Sequence, residues 1–296
     1  MTVLLGPQLA LAAGLIGALS AGAIGRAPRA LLRALGLGAL AAALVCAATI
    51  SSGSAGPLLR LDSLGRCWQF LFYLGAVPLA CLGALDDEVP TALFLGCVLG
   101  MGLLAVSGSL LMLFIGLEFM SLPAYLLVAR GGLRPESSRE AAVKYFFAGS
   151  TAGALFLLGM VLHYAASGTL SLTPAAGPLA EGGLALMGAA ALFKIGVVPL
   201  HFWLPDVYEA ASPELAGFLS TAMKSAAVLL LMRLVALSPH SALASALPAA
   251  GALTMLVAAL LALRQQRLQR LLAYSSISHA GYLVLGVGAW AARGAA

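Results

Sequence analysis

Apolar stretches of about 20 residues recur along the whole chain, separated by short polar connections. An α-helix needs roughly 20 apolar residues to cross the hydrocarbon core of a bilayer, so each stretch predicts a membrane-spanning helix. The fourth and fifth stretches are joined by only a short Ser-Gly-Ser sequence. The predicted helices number about ten and cover roughly residues 5–25, 31–50, 64–85, 90–108, 109–130, 141–166, 182–203, 213–237, 242–263 and 269–292. This pattern predicts an all-α polytopic membrane protein.

The composition agrees with that class and excludes a soluble domain. The chain is 61% hydrophobic and 9% charged, with a mean hydropathy of +1.02, whereas soluble domains are about 25% charged. The four cysteines lie far apart and form no C-x-x-C motif, so we expect small buried apolar side chains rather than a zinc or iron–sulfur site. They are Cys46, Cys67, Cys81 and Cys97.

The arginines predict an orientation in the membrane. Connections after odd-numbered helices carry nine arginines and those after even-numbered helices carry three, which favours odd connections on the cytoplasmic side. The nine are Arg26, Arg29, Arg33, Arg130, Arg134, Arg139, Arg264, Arg267 and Arg270. Both termini are then expected on the outer, periplasmic face of a bacterial inner membrane. The net charge of +5 follows from these arginines and indicates no nucleic-acid partner; the expected surroundings are the lipid bilayer.

All three lysines of the chain, Lys144, Lys194 and Lys224, lie inside apolar stretches, and so does the carboxylate of Glu118. A charged side chain near the centre of a bilayer helix costs roughly 2.5–3.5 kcal/mol on insertion scales. A chain that tolerates this cost repeatedly is expected to use the charges. The pattern therefore indicates an ion or proton path.

Two of these charges precede a proline by five residues: Glu118 precedes Pro123, and Lys194 precedes Pro199. Proline has no N–H group, so the carbonyl one residue after each charge loses its helical partner. In lipid such a carbonyl must be satisfied by protein or water. Charges beside irregular helices are a recurring arrangement in transporters, where the irregular backbone lines a cavity.

The stretch FKIGVVPLHFWLPDVYEAASPE contains three prolines, and Gly196 follows Lys194 at a distance of two residues. It predicts a helix interrupted in mid-membrane, with Lys194 near the C-terminal end of the first half, where the helix dipole favours an ammonium. His201 lies seven residues further on. It is a candidate proton relay or, alternatively, a hydrogen-bonded packing histidine.

The remaining candidates differ in how strongly they indicate an ion path. Lys224 lies near the centre of the eighth stretch, too far from an interface for its side chain to snorkel. Lys144 has Glu140 four residues before it, so an interfacial salt bridge and a place in the path are both open. In the hydroxyl-rich LLAYSSISHAGYLVLGV, His279 either extends a hydrated path or joins interhelical hydrogen bonding.

Five stretches resemble the antiporter-like membrane subunits of NADH-quinone oxidoreductase (respiratory complex I) and the related multisubunit cation/proton antiporters. They are GLEFMSLPAYLLVA, REAAVKYFFAGSTAGALFLLGM, FKIGVVPLHFWLPDVYEAASPE, STAMKSAA and LQRLLAYSSISHAGY. The details LEFMSLPAYLLVA and PDVYEA look most like the subunit N group of that family. The resemblance is clear over roughly residues 90–290.

The resemblance implies two inverted five-helix repeats after three leading helices. We expect one membrane domain, 1–296, in which 1–88 holds the leading helices and 89–238 a complete first repeat with a broken seventh helix. Residues 239–296 then form only part of the second repeat. Family members have more helices than this chain, so it is expected to be a fragment, a truncated product or a chain completed by another polypeptide.

The resemblance also implies a function and a site. The family's proposed role is proton translocation along a hydrated axis of buried charges, driven by quinone reduction elsewhere in the complex. The positions that match its charged residues are Glu118, Lys144, Lys194, His201 and Lys224. No cofactor is expected on this chain: NADH, FMN, iron–sulfur clusters and quinone belong to partner subunits of a complex I-type assembly. A cation/proton antiporter, a membrane-bound hydrogenase and a non-conducting scaffold are the alternatives.

Overall fold

A computed structural model describes residues 4–25, 27–82, 85–130 and 135–294. Each predicted apolar stretch forms a helix or a pair of helical segments. Arg26 and Arg134, which entered the orientation prediction, lie outside the described residues. The helices are α1 (Gly6–Ile24), α2 (Arg29–Thr49), α3 (Ser63–Leu82), α4 (Glu88–Ala105), α5 (Leu110–Arg130), α6 (Pro135–Ser167), α7 (Pro178–Ile195), α8 (Leu204–Ala210), α9 (Pro213–Phe218), α10 (Lys224–Leu237), α11 (Ala242–Ala262) and α12 (Leu268–Ala292).

In the described part of the chain, nine helices are long and apolar enough to cross a membrane, counting Pro213–Leu237 as one. The 20-residue α3 is not among them, because Arg66 and Gln69 in its first turns lower its hydropathy. The prediction of an all-α polytopic membrane protein is confirmed. α6 begins earlier than predicted because Pro135 fits the first turn of a helix, where its missing N–H is not needed.

A short antiparallel hairpin between α2 and α3 was not predicted. Strand β1 (Gly53–Ala55) pairs with β2 (Leu59–Leu61). The turn uses Gly56 at a φ of 69°, a conformation that glycine adopts without steric cost. The hairpin packs on the connection between α4 and α5, because Arg60 N–H donates to the Val106 carbonyl at 2.9 Å.

The chain divides into two compact units. The first unit comprises Met1–Gly131 and Glu214–Ala226. Within it, α4 and α5 pack so closely that a Cβ on Gly100 would lie 2.3 Å from the Met120 nitrogen. Such contact is typical of membrane helices, where small residues let two backbones approach.

The second unit comprises Gly132–Pro213 and Ala227–Ala296. Its α6–α7 and α11–α12 pairs also cross at glycines: a Cβ on Gly183 would lie 2.6 Å from the Gly159 carbonyl oxygen, and one on Gly251 would lie 2.8 Å from that of Gly281. The predicted interruption is present in this unit, since the chain leaves helical geometry between α7 and α8.

The prediction that all four cysteines are buried is wrong for two of them. Cys97 is buried and Cys46 half-buried, but Cys67 and Cys81 are exposed. A membrane helix presents an apolar surface to lipid, so an apolar side chain there needs no protein around it. All four are free thiols.

Candidate functional site

The end of α7 is fixed by Gly196. This residue adopts a left-handed conformation, with φ 86° and ψ 40°. Its N–H donates to the Phe193 carbonyl at 3.1 Å, and the Val197 N–H donates to that of Leu192 at 3.0 Å. This pair of bonds is the Schellman motif, which satisfies carbonyls at a helix end. The helix therefore stops directly after Lys194, before Pro199 is reached.

The irregular backbone after Gly196 is satisfied by a neighbouring helix. The Val198 N–H donates to the Thr254 hydroxyl of α11 at 3.1 Å, and that hydroxyl donates to the Ala250 carbonyl at 2.7 Å. The Thr254 side chain is fully buried. A polar group inside a membrane protein requires such a partner, so Thr254 supports the interruption.

Lys194 is held over an aromatic ring at this interruption. Its side chain is 6% exposed, and its Nζ lies 5.3 Å from the centroid of the Tyr145 ring on α6. The Tyr145 ring stacks on Trp203 with centroids 4.3 Å apart, and the Trp203 indole N–H donates to the Phe193 carbonyl at 3.2 Å. The ring face and the partial negative charge of the helix C-terminus both attract the ammonium. A buried cation within a membrane helix costs free energy, and these two interactions offset part of that cost.

His201 lies in the interruption and is half-buried. Its carbonyl accepts the Leu204 N–H at 3.0 Å, and its ring Nδ1 is buried without a hydrogen-bond partner among the described residues. Since no helix runs from Lys194 to His201, the two do not share a helical face, which continuous helical geometry would have given them. The ring is also hydrogen-bonded to the backbone of Pro199, so a proton relay and a hydrogen-bonded packing histidine both stay predictions.

Six charged side chains gather where α6 begins, α8 ends and α11 joins α12. We call them the ionic cluster: Glu140, Lys144, Asp206, Glu209, Arg267 and Arg270. The predicted Glu140–Lys144 pair is confirmed, with Nζ and Oε1 2.8 Å apart, and Lys144 also reaches Asp206 Oδ2 at 3.2 Å. Arg270 Nη1 lies 2.9 Å from both Asp206 Oδ1 and Glu209 Oε2, and Arg267 also pairs with Glu209.

A cavity of about 390 Å³ is lined by five of the six residues of the ionic cluster, all except Arg270. Burial alone would raise the pKa of Glu209, but the hydrogen bonds and charges of Arg267 and Arg270 outweigh it and hold the pKa below its usual value. In the sequence, these arginines indicated only an orientation in the membrane. The available signal was a matching spacing, because Asp206 and Glu209 lie three residues apart, as do Arg267 and Arg270.

The structure brings Lys144 and Lys194 to neighbouring parts of the second unit. Lys144 projects into the ionic cluster with 49% of its side chain exposed, while the next residue, Tyr145, is buried beneath Lys194. Tyr145 and Trp203 carry no signal in the sequence that marks them as site residues, because buried aromatic side chains are equally expected in a packed core.

In the first unit, Glu118 lies half-buried on α5. Ser121 and Tyr125 follow it by three and seven residues, which places all three on one helical face, and the side chains of Ser121 and Tyr125 are hydrogen-bonded. α5 continues through Pro123 to Arg130 without interruption.

Lys224, also in the first unit, is 4% exposed and is the first residue of α10. A π-helical turn, Leu219–Met223, precedes it, and such turns are frequent at functional sites. The hydroxyls flanking Lys224 bond to their own helix: Thr221 donates to the Gly217 carbonyl at 2.8 Å and Ser225 to that of Ala222 at 2.7 Å.

His279 is exposed on α12, with its ring centroid 6.1 Å from that of Tyr282. The same helix takes part in interhelical bonding through Ser276, which is hydrogen-bonded to the buried Tyr208 of α8. Among the described residues, no group of three or more His, Cys, Asp or Glu side chains is placed to hold a metal ion.

A family model described as the transmembrane region of NADH:quinone oxidoreductase and Mrp antiporters matches residues 107–296. The chain belongs to this family. Subunit N of the NADH-quinone oxidoreductase of Syntrophotalea carbinolica is 44% identical over 207 residues, which are 66% of this chain and 44% of that protein.

Two solved structures share the fold. Respiratory complex I from Thermus thermophilus contains a chain matched with a TM-score of 0.85 and 35% identity, covering 95% of this chain and 64% of that one. The Mrp complex from a Dietzia species gives 0.85 at 23% identity, covering 97% and 59%. The chain thus spans less than two thirds of each relative.

Proposed function

We propose that this chain is a membrane-arm subunit of a proton-translocating NADH:quinone oxidoreductase. Protons would move along its buried charged residues, coupled to quinone reduction elsewhere in the complex. The observation that carries the proposal is Lys194, a buried lysine at the interruption of α7 and above the Tyr145 ring. A lysine kept in such a place is a functional group by default.

In this proposal Lys194 is the group that takes up and releases a proton within the membrane. The ammonium loses its proton to water or a neighbouring acceptor, and the neutral amine takes the next one. The other members of the path are Glu118, Lys144, His201 and Lys224, and His279 is a further candidate.

The ionic cluster forms one end of the proposed proton path. Its cavity of about 390 Å³ is lined by Lys144, and Tyr145 beside it contacts Lys194. We propose that this end faces the cytoplasm of a bacterium, because Arg267 and Arg270 lie there and arginine is enriched on that side. Both termini would then lie on the periplasmic side of the inner membrane.

The expected partners are other membrane subunits of a complex I-type assembly. NADH, FMN, iron–sulfur clusters and quinone would be bound by those partners. The 44% identity to a subunit N favours this assembly. The 23% identity to the Mrp chain supports the shared fold alone, so an antiporter assembly is the second candidate and is distinguished by which subunits co-purify.

The test compares Lys194→Ala and Lys194→Arg in the assembled complex, reconstituted into vesicles. We expect both to lose most quinone-coupled proton pumping, because alanine has no proton to exchange and arginine stays charged at all accessible pH values. Arg60→Gln removes an exposed cation of the hairpin and is the control. It should pump normally.

The arginine variant separates two roles of the lysine. If Lys194→Arg pumps at the wild-type rate, the residue supplies only a fixed positive charge. If Lys194→Ala also pumps normally in a stable complex, the chain is a scaffold in the membrane arm and the proposed function fails.

A further inference from the structure

A buried histidine lies in the second unit, away from the interruption and the ionic cluster. His163, in the last turns of α6, is 2% exposed. Its ring lies against the backbone of Thr173, yet neither ring nitrogen makes a hydrogen bond of normal geometry among the described residues. An apolar side chain would fill this place without leaving two buried nitrogens unsatisfied.

Hydroxyl groups follow His163 directly in the connection to α7. The Ser167 hydroxyl oxygen lies 2.8 Å from the His163 carbonyl oxygen and 2.9 Å from that of Thr169, and its single proton can be donated to either. The Thr169 hydroxyl donates to that of Ser171 at 3.2 Å. These side chains are half-buried, so a short row of hydroxyls follows the buried histidine in the connection to α7.

His163 lies at the opposite end of the second unit from the ionic cluster. At 1.5 Å per residue, Lys144 and His163 are about 28 Å apart along α6, close to the roughly 30 Å of a bilayer core. α7 runs beside α6, and a Cβ on its Gly183 would lie 2.9 Å from the backbone nitrogen of His163. Lys194 lies about 16 Å further along α7 from Gly183.

The charged groups around His163 are few. The connection from 168 to 177 carries none, and the charges of α6 itself lie in its first turns. α7 carries Lys194 at its far end and Glu181 in its first turn, where Glu181 Oε2 accepts the Ala242 N–H at 3.4 Å. The nearest titratable neighbour in sequence is Tyr164, which is 51% exposed. Among the described residues, therefore, no ion pair accounts for the buried His163 ring.

We propose that His163 is a proton-transfer site between Lys194 and the membrane face opposite the ionic cluster. The neutral imidazole accepts a proton at one ring nitrogen from the interior, and the resulting imidazolium releases the proton of the other nitrogen towards the Ser167–Ser171 hydroxyls. The ring ends neutral with its tautomer exchanged, and the hydroxyls and water carry the proton outward. This inference rests on the proposed function of Lys194.

The test uses the assembled complex that contains the full-length protein, with His163→Gln, His163→Leu and Lys194→Ala. The matched control is His240→Gln, since His240 is an exposed histidine at the same end of the second unit. We expect both His163 variants to pump on the order of a hundredfold more slowly per assembled complex, because a positioned acid–base group has been removed. His240→Gln should equal the wild type.

Two further readouts separate proton transfer from packing. The pH dependence of pumping should lose one ionisation in His163→Gln, and pH-titrated infrared difference spectra should lose the bands of one imidazole. A packing role would change the yield of assembled complex but neither readout. Glutamine keeps a polar side chain of similar size. If His163→Leu fails to assemble, His163→Gln alone therefore distinguishes proton transfer from packing.

The two proposals fail differently. If Lys194→Ala pumps normally, the proposed function is wrong. If Lys194→Ala is impaired while both His163 variants pump at the wild-type rate, only the role of His163 is overturned. An infrared spectrum in which this imidazole stays neutral wherever the complex pumps would overturn it as well.

Discussion

α5 and α7 each carry a charged residue five positions before a proline, yet their backbones differ. α5 passes through Pro123 and continues to Arg130, whereas α7 ends at Ile195, four residues before its proline. Glu118 thus belongs to a continuous helix, and Lys194 lies at a helix end.

The difference is explained by the residues that follow each charge. Lys194 is followed at two positions by Gly196, which adopts a positive φ and closes the helix. The corresponding residue after Glu118 is Met120, which is buried and has no such freedom. A proline alone removes one hydrogen bond and bends a helix. In this chain the glycine, rather than the proline, ends the helix beside the charge.

The largest effect is expected from Gly196→Ala, which would force α7 towards the geometry of α5. A Cβ there would lie 2.5 Å from Leu204 Cδ1, at a φ of 86°. We expect a loss of about 1–3 kcal/mol for the strained backbone, a lower thermal midpoint of the complex, and strongly reduced pumping because Lys194 is displaced.

The control is Gly286→Ala on α12, a glycine with open space around it. It should be neutral or stabilising by up to about 1 kcal/mol. Equal melting temperatures for Gly196→Ala and Gly286→Ala would show that the left-handed glycine does not determine the end of α7.

Thr254→Val removes the hydroxyl that accepts a hydrogen bond from the interrupted backbone after α7. The continuous helix α5 needs no such partner, so the substitution sharpens the comparison. The Val198 N–H would lose its partner, at a cost of about 1–3 kcal/mol for a buried group. Thermal unfolding of the complex measures this. Thr151→Val is the control, because the Thr151 hydroxyl is exposed and bonds only to the Phe147 carbonyl. Similar losses in both variants would contradict the role of Thr254.

Glu209→Gln tests how the second half of the interrupted helix is fixed. The arginines hold the pKa of Glu209 low in the folded protein, so its stabilising contribution is present above the unfolded pKa of about 4.3 and is lost as pH falls through the folded value. Below about pH 4.3 we expect the free energy of unfolding of the wild type to fall as Glu209 becomes protonated. Glu209→Gln has no carboxylate at this position and should not show that part of the loss.

Acid titration of thermal stability, with Glu136→Gln as an exposed control, measures this contribution. A wild-type acid profile that is unchanged in Glu209→Gln would show that α8 is anchored without its carboxylate.

The smallest effect is expected from Pro123→Ala. Because α5 already continues through this position, alanine supplies an N–H to a nearly intact helix and leaves a small gap against Gly96, which Pro123 contacts. We expect a change in stability within about 1 kcal/mol and near-normal pumping in vesicles. A severe loss of pumping would show that the hydrogen bond missing at Pro123, and not only the charge of Glu118, is used.

The sequence was sufficient for what depends on long apolar stretches and local spacing. The helices, the interruption after Lys194 and the Glu140–Lys144 pair follow from such patterns. The hairpin could not be foreseen, because GSA and LRL are too short for a period to show. The ionic cluster joins residues more than 60 positions apart, and the π-helical turn before Lys224 has no glycine or proline within it.

That π-helical turn has a consequence for the direction in which Lys224 points. A π-helical turn inserts one extra residue into an α-helix, and one residue corresponds to about 100° of rotation around the axis. Relative to Pro213–Phe218, Lys224 is therefore turned to a different azimuth from the one that uniform winding would give. Deleting one residue of Leu219–Met223 would keep every charge of the chain and rotate the lysine away from its present neighbours.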